Sequence, residues 1–310
     1  MTGQLNDTNG SVTSGRDSVE WPTVMLLAVF FVAWLALVVG HDSVPWWISV
    51  PCFVYLGGLW MSFGHELLHG HPTRWNAVNS AFGWLPLSLW IPFGRYKYWH
   101  KVHHFADLTD PIEDPESFYL QPAVWESRSR LGRAWTQVLR TVPGRLTLGT
   151  LRGIPRFWWR EAKCLGERRI LSQWFVHVAL SAALCWWLFG VVGVPALEYL
   201  VAFCLGGSAC TNLRSFLEHR AVAEGTRSAV VKAGPVMSLL YLNNNLHHTH
   251  HTYPDLAWYR IPAAHRELGS DAIAANGAGL YEGGYLEVVR RHFFRPFDRP
   301  DHPLSLRSEA

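Results

Sequence analysis

Two pairs of long apolar segments constrain this chain more than any other feature of its sequence. The first pair covers residues 21–40 and 44–64, and the second covers residues 170–189 and 193–213. A helix needs about 20 mostly apolar residues to cross a bilayer, and each segment has about that length. A buried core helix is the alternative for each segment, but two tight hairpins of such segments favour a membrane. The sequence therefore predicts an all-α integral membrane protein with four transmembrane helices in two hairpins.

The positions of the basic residues predict how this protein lies in the membrane. No Lys or Arg occurs between Trp21 and Leu68 or between Ile170 and Leu213, so all 27 lie outside the hairpins. Basic loops stay mostly on the cytoplasmic side of a membrane. We therefore expect a multi-pass protein whose termini both lie in the cytoplasm, together with a helical cap formed by the segments outside the hairpins.

Composition agrees with a membrane protein and excludes a nucleic-acid partner. Charged residues make up 16% of the chain, against about 25% in an ordinary soluble domain. The net charge of +3 is too small to indicate binding to nucleic acid. By composition, we expect a disordered cytosolic N-terminus at residues 1–20, a single membrane domain at 21–297 and a polar tail at 298–310.

Histidine is concentrated in three short clusters, which hold ten of the sixteen histidines. Cluster 1 (His65–His71) contains the pattern H-x-x-x-H, whereas cluster 2 (His100–His104) and cluster 3 (His247–His251) each contain H-x-x-H-H. Imidazole is the commonest side-chain metal ligand and suits iron, zinc and copper. The predicted topology places all three clusters on one side of the membrane. The sequence therefore predicts a histidine-rich metal centre at the cytoplasmic face.

The spacing within the clusters predicts which imidazoles converge. Residues i, i+3 and i+4 share one face of a helix, so each H-x-x-H-H motif should direct three imidazoles at one point. A zinc site holds three or four protein ligands; the eight imidazoles on these faces exceed that number, and we expect two metals. His219 follows the fourth span on the same side and is a candidate ninth ligand. The predicted ligands are His65, His69, His100, His103, His104, His219, His247, His250 and His251.

The other histidines lack this pattern. His71 and His248 belong to the clusters but fall off the shared faces, so we expect outer or incidental roles for them. The remaining five have no cluster, and we expect no metal at His41, His177, His265, His292 and His302.

Polar residues near the clusters allow two interpretations. Asn243 lies four residues before His247 and could face the metals or cap a helix. Acidic residues after cluster 2 could orient imidazole N–H groups, as the outer partners of metal ligands do, or cap and turn the chain. These acidic residues are Asp107, Asp110, Glu113 and Asp114.

Two further segments have unusual composition. Residues 76–94 are apolar but contain two prolines and two glycines, which favours a re-entrant or interfacial segment over a fifth span. Residues 125–169 are basic and aromatic. They fit amphipathic helices on an anionic leaflet, a solvated charged face, or a docking surface for an acidic electron donor.

The three motifs, in this order around four spans, resemble those of the membrane fatty acid desaturase superfamily. The resemblance extends from about residue 21 to 265, and some relatives carry Asn where this chain has Ser215, four residues before the additional histidine. It implies a helical membrane enzyme with two iron ions bound by histidine and O₂ as co-substrate. The motifs that carry it are His65-Glu-Leu-Leu-His69, His100-Lys-Val-His103-His104 and His247-His-Thr-His250-His251.

The resemblance also implies a reaction. The expected activity is removal of two hydrogens from an unactivated C–C bond of a fatty acyl or similar lipid-like substrate. Hydroxylation, ketone formation, alkene-forming decarboxylation and desaturation of a small amino-acid-derived metabolite remain alternatives. The electrons would come from a separate protein, a ferredoxin or a b-type cytochrome with its reductase. The Trp-rich segments around Trp84, Trp90 and Trp99 could wall an acyl tunnel.

A different enzyme class fits cluster 1 alone. The sequence His65-Glu66-Leu-Leu-His69 matches H-E-x-x-H, the zinc-protease motif in which Glu is the general base. An intramembrane zinc protease is therefore a remote alternative, since it would leave clusters 2 and 3 without a function.

Overall fold

Four long helices form the part of the fold that can span a membrane. The computed structural model describes residues 19–303. Among these residues, a short turn at His41–Ser43 joins the first two long helices, and Gly193 lies in the turn between the last two. The predicted all-α membrane fold with four spans is confirmed. The candidate spans are Trp21–Val39, Trp46–Leu68, Arg168–Val192 and Ala196–Ser215.

Shorter helices connect and follow the spans. The described residues contain one small sheet, in which β1 (Val230–Val231) pairs in parallel with β2 (Leu280–Tyr281). The helix α7 is continuous but includes a π-helical segment, Arg145–Gly149. In chain order, the helices are α1 (Trp21–Val39), α2 (Trp46–Leu68), α3 (Asn76–Gly83), α4 (Phe93–Phe105), α5 (Pro122–Glu126), α6 (Arg130–Leu139), α7 (142–162), α8 (Arg168–Val192), α9 (Ala196–Ser215), α10 (Pro235–Leu240), α11 (His247–Thr252), α12 (Ile261–Leu268), α13 (Ser270–Ala275) and α14 (Gly284–His292).

The outer faces of the spans are apolar and exposed, as contact with lipid requires. Only 11% of the most apolar stretch of α8 is buried, and Phe175 and Val178 lie among its exposed side chains. In α1, Val29 is exposed, whereas Leu27 and Phe30 are buried. Soluble proteins seldom expose apolar surfaces of this extent. The spans therefore present one face to the protein and the other to a bilayer.

A close approach of two glycines fixes α2 against α9. A Cβ atom on Gly57 would lie 2.1 Å from the carbonyl oxygen of Phe203, and one on Gly207 would lie 2.4 Å from the carbonyl carbon of Gly57. Small residues allow transmembrane helices to pack backbone against backbone. This contact positions α2, whose last turn carries His65.

A buried carboxylate anchors α4, the helix that carries cluster 2. Glu161 of α7 forms a bidentate ion pair with Arg95 of α4, and both side chains are buried. It also accepts hydrogen bonds from Trp99 Nε1 of α4 at 2.6 Å and from Trp174 Nε1 of α8 at 3.2 Å. Because one carboxylate joins three helices, it fixes how α4 lies over the spans.

The segment at 76–94 does not form a fifth span in the described structure. It contains the short helix α3 and then a series of turns, in which Leu89 has a positive φ of 64°. Its position at the interface or within the membrane stays a prediction.

The predicted termini lie partly outside the described residues, which exclude 1–18 and 304–310. The first residues of the predicted tail pack against the chain: the backbone N–H of Leu120 donates to Pro300 O and that of His302 donates to Leu120 O, both at 2.8 Å. The Tyr119 hydroxyl donates to Asp298 at 2.6 Å. The division into an N-terminus, one domain and a tail stays a prediction.

Candidate metal centre

Three helices and one connecting segment bring nine imidazoles together. The last turn of α2, helix α4, the segment after α9 and helix α11 each contribute. The nitrogens form two sets, and within each set they lie within 4.8 Å of one another. Group A consists of His65, His69, His100, His104 and His250, and group B consists of His103, His219, His247 and His251.

The two H-x-x-H-H motifs divide between the groups, so the prediction that each directs three imidazoles at one point is wrong. In cluster 2, His100 and His104 belong to group A, whereas His103 belongs to group B. In cluster 3 the roles are reversed, because His250 alone joins group A. Positions i and i+4 are nearly in line along a helix, whereas position i+3 is turned away from that line. Each motif therefore serves two neighbouring points.

The Nε2 atoms of group A face one another. Nε2 of His100 lies 3.1 Å from that of His69 and 2.9 Å from that of His104. Nε2 of His250 lies 3.3 Å from that of His104. The imidazole of His65 packs against those of His69, His100 and His250, with ring centroids 4.6–4.8 Å apart.

Group B has the same arrangement with fewer members. Nε2 of His219 lies 3.0 Å from that of His103 and 3.1 Å from that of His247. Nε2 of His251 is buried and has no hydrogen-bond partner among the described residues. It belongs to the same convergent set of ligand atoms.

The outward nitrogens of cluster 2 show which nitrogen carries the proton. Nδ1 of His103 donates to Asp114 Oδ1 at 2.7 Å, and Nδ1 of His100 donates to Glu116 Oε1 at 3.1 Å. A neutral imidazole with a proton on Nδ1 has a lone pair on Nε2. The Nε2 atoms of His103 and His100 point into groups B and A, and each offers a lone pair there when its ring is neutral.

The outward nitrogen of His247 lies in a similar environment. It is 3.2 Å from Glu218 Oε1 and 2.9 Å from Asn244 Oδ1. Glu218 is also 2.8 Å from Nη1 of Arg214, and both side chains are buried. Asn244 Oδ1 therefore holds the proton of His247 on Nδ1, away from group B, whereas Glu218 Oε1 lies nearby without a hydrogen-bond partner among the described residues.

The spacing of the Nε2 atoms fits neighbouring ligands of one metal. Lone pairs that face one another repel, and a cation between them removes this repulsion. Nitrogens about 2.1 Å from a metal are about 3.0 Å apart at a right angle and about 3.4 Å apart at a tetrahedral angle. The five distances, 2.9–3.3 Å, fall in the range of these two arrangements. The residues of both groups therefore fit a metal ion.

Comparison with known proteins agrees with this geometry. The family model for fatty acid desaturases matches residues 43–281, which include all nine histidines of groups A and B. The chain belongs to the fatty acid desaturase family. None of the curated proteins matches the sequence. Membership of this family makes the chain an oxidoreductase.

Within this desaturase fold, one of the four predicted carboxylates reaches a histidine group. Asp114 does so through His103. Asp107 instead pairs with Arg227, and Asp110 accepts hydrogen bonds from the backbone N–H groups of Ile112 and Glu113. Asp110 therefore has the capping role that was the alternative interpretation.

Three residues that contact the groups were not predicted. Glu116 and Glu218 lie beside predicted positions, the first two residues after Asp114 and the second next to His219. The side chain of Asn244 contacts His65, with Nδ2 3.2 Å from Nε2, and also His247. The neighbouring Asn243, for which the sequence allowed either a place facing the metals or a capping role, donates to the carbonyl of Trp258 and does not contact either group.

Burial and the neighbouring imidazoles keep most of these histidines neutral. Burial, followed by the charges of other histidines, lowers the pKa of His250 and His251, and it lowers the pKa of His104 to about 3. Burial alone would also lower the pKa of His103, but Glu116 and Asp114 outweigh it and raise this pKa to about 9. His103 therefore lies at the most negative point of the centre.

The acidic residues respond in opposite directions. Burial raises the pKa of Glu218 to about 7 although Arg214 opposes the shift. Burial would likewise raise the pKa of Glu116, but the charges of His103 and His100 outweigh it and hold this pKa below its usual range. Two fully buried carboxylates, Asp114 and Glu218, thus lie beside group B. The side chain of Glu116 is 36% exposed, contacts His100 of group A and also raises the pKa of His103 in group B.

The histidines expected to lie outside the centre do so. Nδ1 of His71 pairs with Glu20 at 2.7 Å, and Nδ1 of His248 lies 3.0 Å from Ser270 Oγ. Glu66 is directed to His71, at 3.9 Å, and is not part of either group. Neither group includes the remaining histidines, which are His41, His177, His265, His292 and His302.

A cavity of about 510 Å³ borders the centre at Glu116, Glu218 and His219. A much smaller cavity, about 20 Å³, lies among apolar side chains that include Trp60 and Phe93. Trp84, Trp90 and Trp99 border neither cavity. Trp99, for example, donates its Nε1–H to Glu161 instead. The segments around Trp84 and Trp90, which were predicted to wall an acyl tunnel, line the smaller cavity at Gly83, Leu85, Pro86, Ser88 and Ile91.

Proposed function

We propose that this chain is an O₂-dependent di-iron desaturase that removes two hydrogens from an unactivated C–C bond of a fatty acyl or similar lipid-like substrate. Family membership supports oxidative chemistry of this superfamily. The observation that carries the proposal is the convergence of nine imidazoles into two adjacent groups.

Groups A and B are the proposed ligand sets, one iron ion in each. Two iron ions bound there would supply the activation of O₂ that breaking an unactivated C–H bond requires. Imidazole nitrogen suits iron, and the Nε2 distances of 2.9–3.3 Å fit ligands that share one metal. The proposed ligands are His65, His69, His100, His104 and His250 for one iron, and His103, His219, His247 and His251 for the other.

The surrounding residues orient the ligands and keep protons off Nε2. Asp114 and Glu116 hold the Nδ1 protons of His103 and His100, and Asn244 does the same for His247. Such outer partners fix both the tautomer and the ring orientation of a metal-binding histidine. The low pKa values of the buried imidazoles help as well, because metals bind the neutral form.

The distribution of Lys and Arg supports a cytoplasmic location for both termini and for the metal centre. Electrons would come from a separate ferredoxin, or from a b-type cytochrome with its reductase, as the resemblance to this family implies. An alkaline phosphatase reporter, which is active only after export, should be inactive when fused to the C-terminus. An active fusion would contradict this topology.

The zinc-protease alternative receives no support from the site. Its general base would be Glu66, but this carboxylate is directed to His71. His65 and His69 also converge with three further imidazoles, more than such a site requires.

Isotope labelling tests the reaction. Membranes that contain the reconstituted enzyme, a chemical reductant and deuterated lipid should yield products that have lost two deuterium atoms, with no ¹⁸O from ¹⁸O₂. A variant with His104→Ala is the matched inactive sample. Incorporation of ¹⁸O into the product would instead show hydroxylation, and absence of any oxidised product under all donors and lipids would contradict the proposal.

A further inference from the structure

The 510 Å³ cavity beside group B has a wall of arginines. It reaches group B at His219 and Glu218, and it reaches group A through Glu116, which contacts His100. Its volume lies within the range of pockets for small organic ligands, about 300–1,000 Å³. The arginines that line it are Arg128, Arg140, Arg145, Arg152, Arg156 and Arg160.

None of these six arginines forms an ion pair within the described part of the chain; the arginines that do are Arg95, Arg214, Arg220, Arg227, Arg291 and Arg299. Arg140 instead donates to the carbonyls of Phe297 and Phe118. Carboxylates act on some of the six from a greater distance, among them Glu218 on Arg145 and Glu161 on Arg160. Six arginines line the cavity together with three carboxylates, Asp114, Glu116 and Glu218, so its wall has an excess of positive charge.

Two of the cavity arginines are held in place with donors unused. The guanidinium of Arg145 lies over the ring of Phe118, 3.2 Å from its centroid, and that of Arg160 lies 3.8 Å from the centroid of Trp99. The Nε atoms of both arginines are buried without a hydrogen-bond partner among the described residues. Stacking fixes the plane of a guanidinium and leaves its N–H groups available to an oxyanion.

Helix α7 arranges four of the arginines along one face. Arg145, Arg152, Arg156 and Arg160 are separated by seven or four residues, close to whole turns of a helix. Gly153 borders the cavity on the same helix, and a Cβ atom there would meet nothing within 4 Å. The face of α7 that borders the cavity is therefore both cationic and open.

These cations repel one another. Burial, and then the charges of Arg156 and Arg128, lower the pKa of Arg152. Burial and the charge of Arg140 lower the pKa of Arg145 to about 9. A bound oxyanion, above all one with more than one negative charge, would relieve this repulsion through charge-assisted hydrogen bonds.

We propose that this cavity binds the acidic head of the substrate, a phosphate or carboxylate group, and so directs the reacting carbon to groups A and B. This inference rests on the proposed oxidation at those groups. Arg145 links the two regions: it donates to Ser215 Oγ at 3.3 Å, and Ser215 precedes Glu218 and His219 by about one helical turn. The substrate is accordingly an anionic amphiphile rather than a neutral lipid.

Binding without turnover tests the proposal. The iron-loaded protein, in a neutral detergent and without reductant, is titrated calorimetrically with octyl phosphate, with octanoate and with neutral 1-octanol. Octyl phosphate should bind, and the double variant Arg152→Gln/Arg156→Gln should weaken its Kd at least about tenfold because two charge-assisted contacts are lost. The matched double variant Arg130→Gln/Arg168→Gln, at exposed positions outside the cavity, should leave Kd unchanged.

A second variant tests the cavity without changing its charge. Gly153→Leu places a side chain in the open space and should also weaken binding at least about tenfold. Gly166→Leu is the control, since a Cβ atom there also meets nothing within 4 Å but the residue does not line the cavity. If octyl phosphate binds and octanoate does not, the head group is a phosphate. If octanoate binds as tightly as octyl phosphate, a carboxylate head group is sufficient for binding.

Three results would overturn the inference. They are binding of 1-octanol as tight as that of octyl phosphate, no binding of either anionic probe, and a Kd that neither cavity variant changes. If the arginine variant alters only the rate at which a reduced ferredoxin delivers electrons, the surface docks the donor and the inference is wrong. Iron content is measured on the same samples, so failure of the metal proposal is seen separately.

Discussion

Groups A and B contain the same residue type but are built by different means. Group A takes all five imidazoles from the helical regions of α2, α4 and α11, including His69 at the end of α2. Group B has four, and one of them, His219, comes from the segment after α9. Group B has one imidazole fewer, but two buried carboxylates, Asp114 and Glu218, contact its histidines.

This difference bears on where the proposed chemistry would take place. A metal with four protein ligands retains more free positions than one with five, and catalytic metal sites keep open positions. Group B also borders the arginine-lined cavity directly through His219, whereas group A does so only through Glu116. Group B is therefore the group that faces the proposed substrate cavity.

The largest expected loss of activity comes from replacing His250 or His251, which are neighbours in the chain but belong to groups A and B respectively. His250→Ala and His251→Ala should each lower activity more than about 100-fold, since even outer partners of metal ligands contribute 10–100-fold. In ⁵⁷Fe Mössbauer spectra, the two variants should lack different iron signals. Loss of the same signal in both would remove the distinction between the groups. His248→Ala, in the same helix but outside both groups, is the control and should retain both signals.

Asp114, one of the two carboxylates beside group B, should affect the binding of one metal only. Asp114→Asn weakens the hydrogen bond that orients His103, so the affinity of one of the two iron sites should fall about 10–100-fold. A two-step iron(II) titration measures both sites. Asp110→Asn, which alters a cap in the same loop, should change neither step. Equal weakening of both steps by Asp114→Asn would mean that the groups are not independently supported.

The carboxylate that anchors α4 should affect both groups together. Glu161→Gln leaves the buried Arg95 without a counter-charge, and we expect a loss of stability of about 1–3 kcal/mol. Because α4 carries His100, His103 and His104, both steps of the iron titration should weaken by a similar factor. Thermal denaturation provides the stability measurement. The control is Glu113→Gln at an exposed position, and a selective change in one step would contradict this account.

The smallest effect concerns pH and the metal-free protein. The lowered pKa values of His250 and His251 mean that the unfolded chain binds more protons below about pH 6.5, so acid favours unfolding. His103, with a pKa near 9, opposes this trend because its contribution is complete below about pH 6.5 and is lost as pH rises through 9. Since the lowered histidines are the majority, the metal-free protein should unfold at a lower temperature at pH 5.5 than at pH 7.5. The reverse order would show that the imidazoles are not held neutral.

The spans and eight of the nine histidines could be predicted from the sequence because they depend on local periodicity, whereas His219 was predicted from its position after the fourth span. Apolar length defines a span, and the i, i+4 spacing brings pairs such as His65 and His69 together regardless of the rest of the fold. The division into two groups could not be predicted in this way. It depends on how α2, α4 and α11 cross, and those crossings are set by distant contacts such as the approach of Gly57 to Gly207.

Asn244 contacts the histidines and Asn243 does not, and this difference has a local physical reason. Counting back four residues from His247 assumes that the helix continues, but α11 begins at His247. Leu242 and Asn243 have positive φ values of 48° and 58°, so the chain turns immediately before the helix. This turn directs Asn243 to Trp258 and brings Asn244 to the histidines. Left-handed residues other than glycine are uncommon, and no sequence pattern here signals them.

The most direct test of the central claim is elemental analysis of the detergent-purified protein. Two metal groups with the proposed ligands predict close to two iron atoms per chain and little zinc. The variant His251→Ala should retain about one, because group A is left intact. One zinc atom per chain with no iron, or two iron atoms that persist after His251→Ala, would contradict the account.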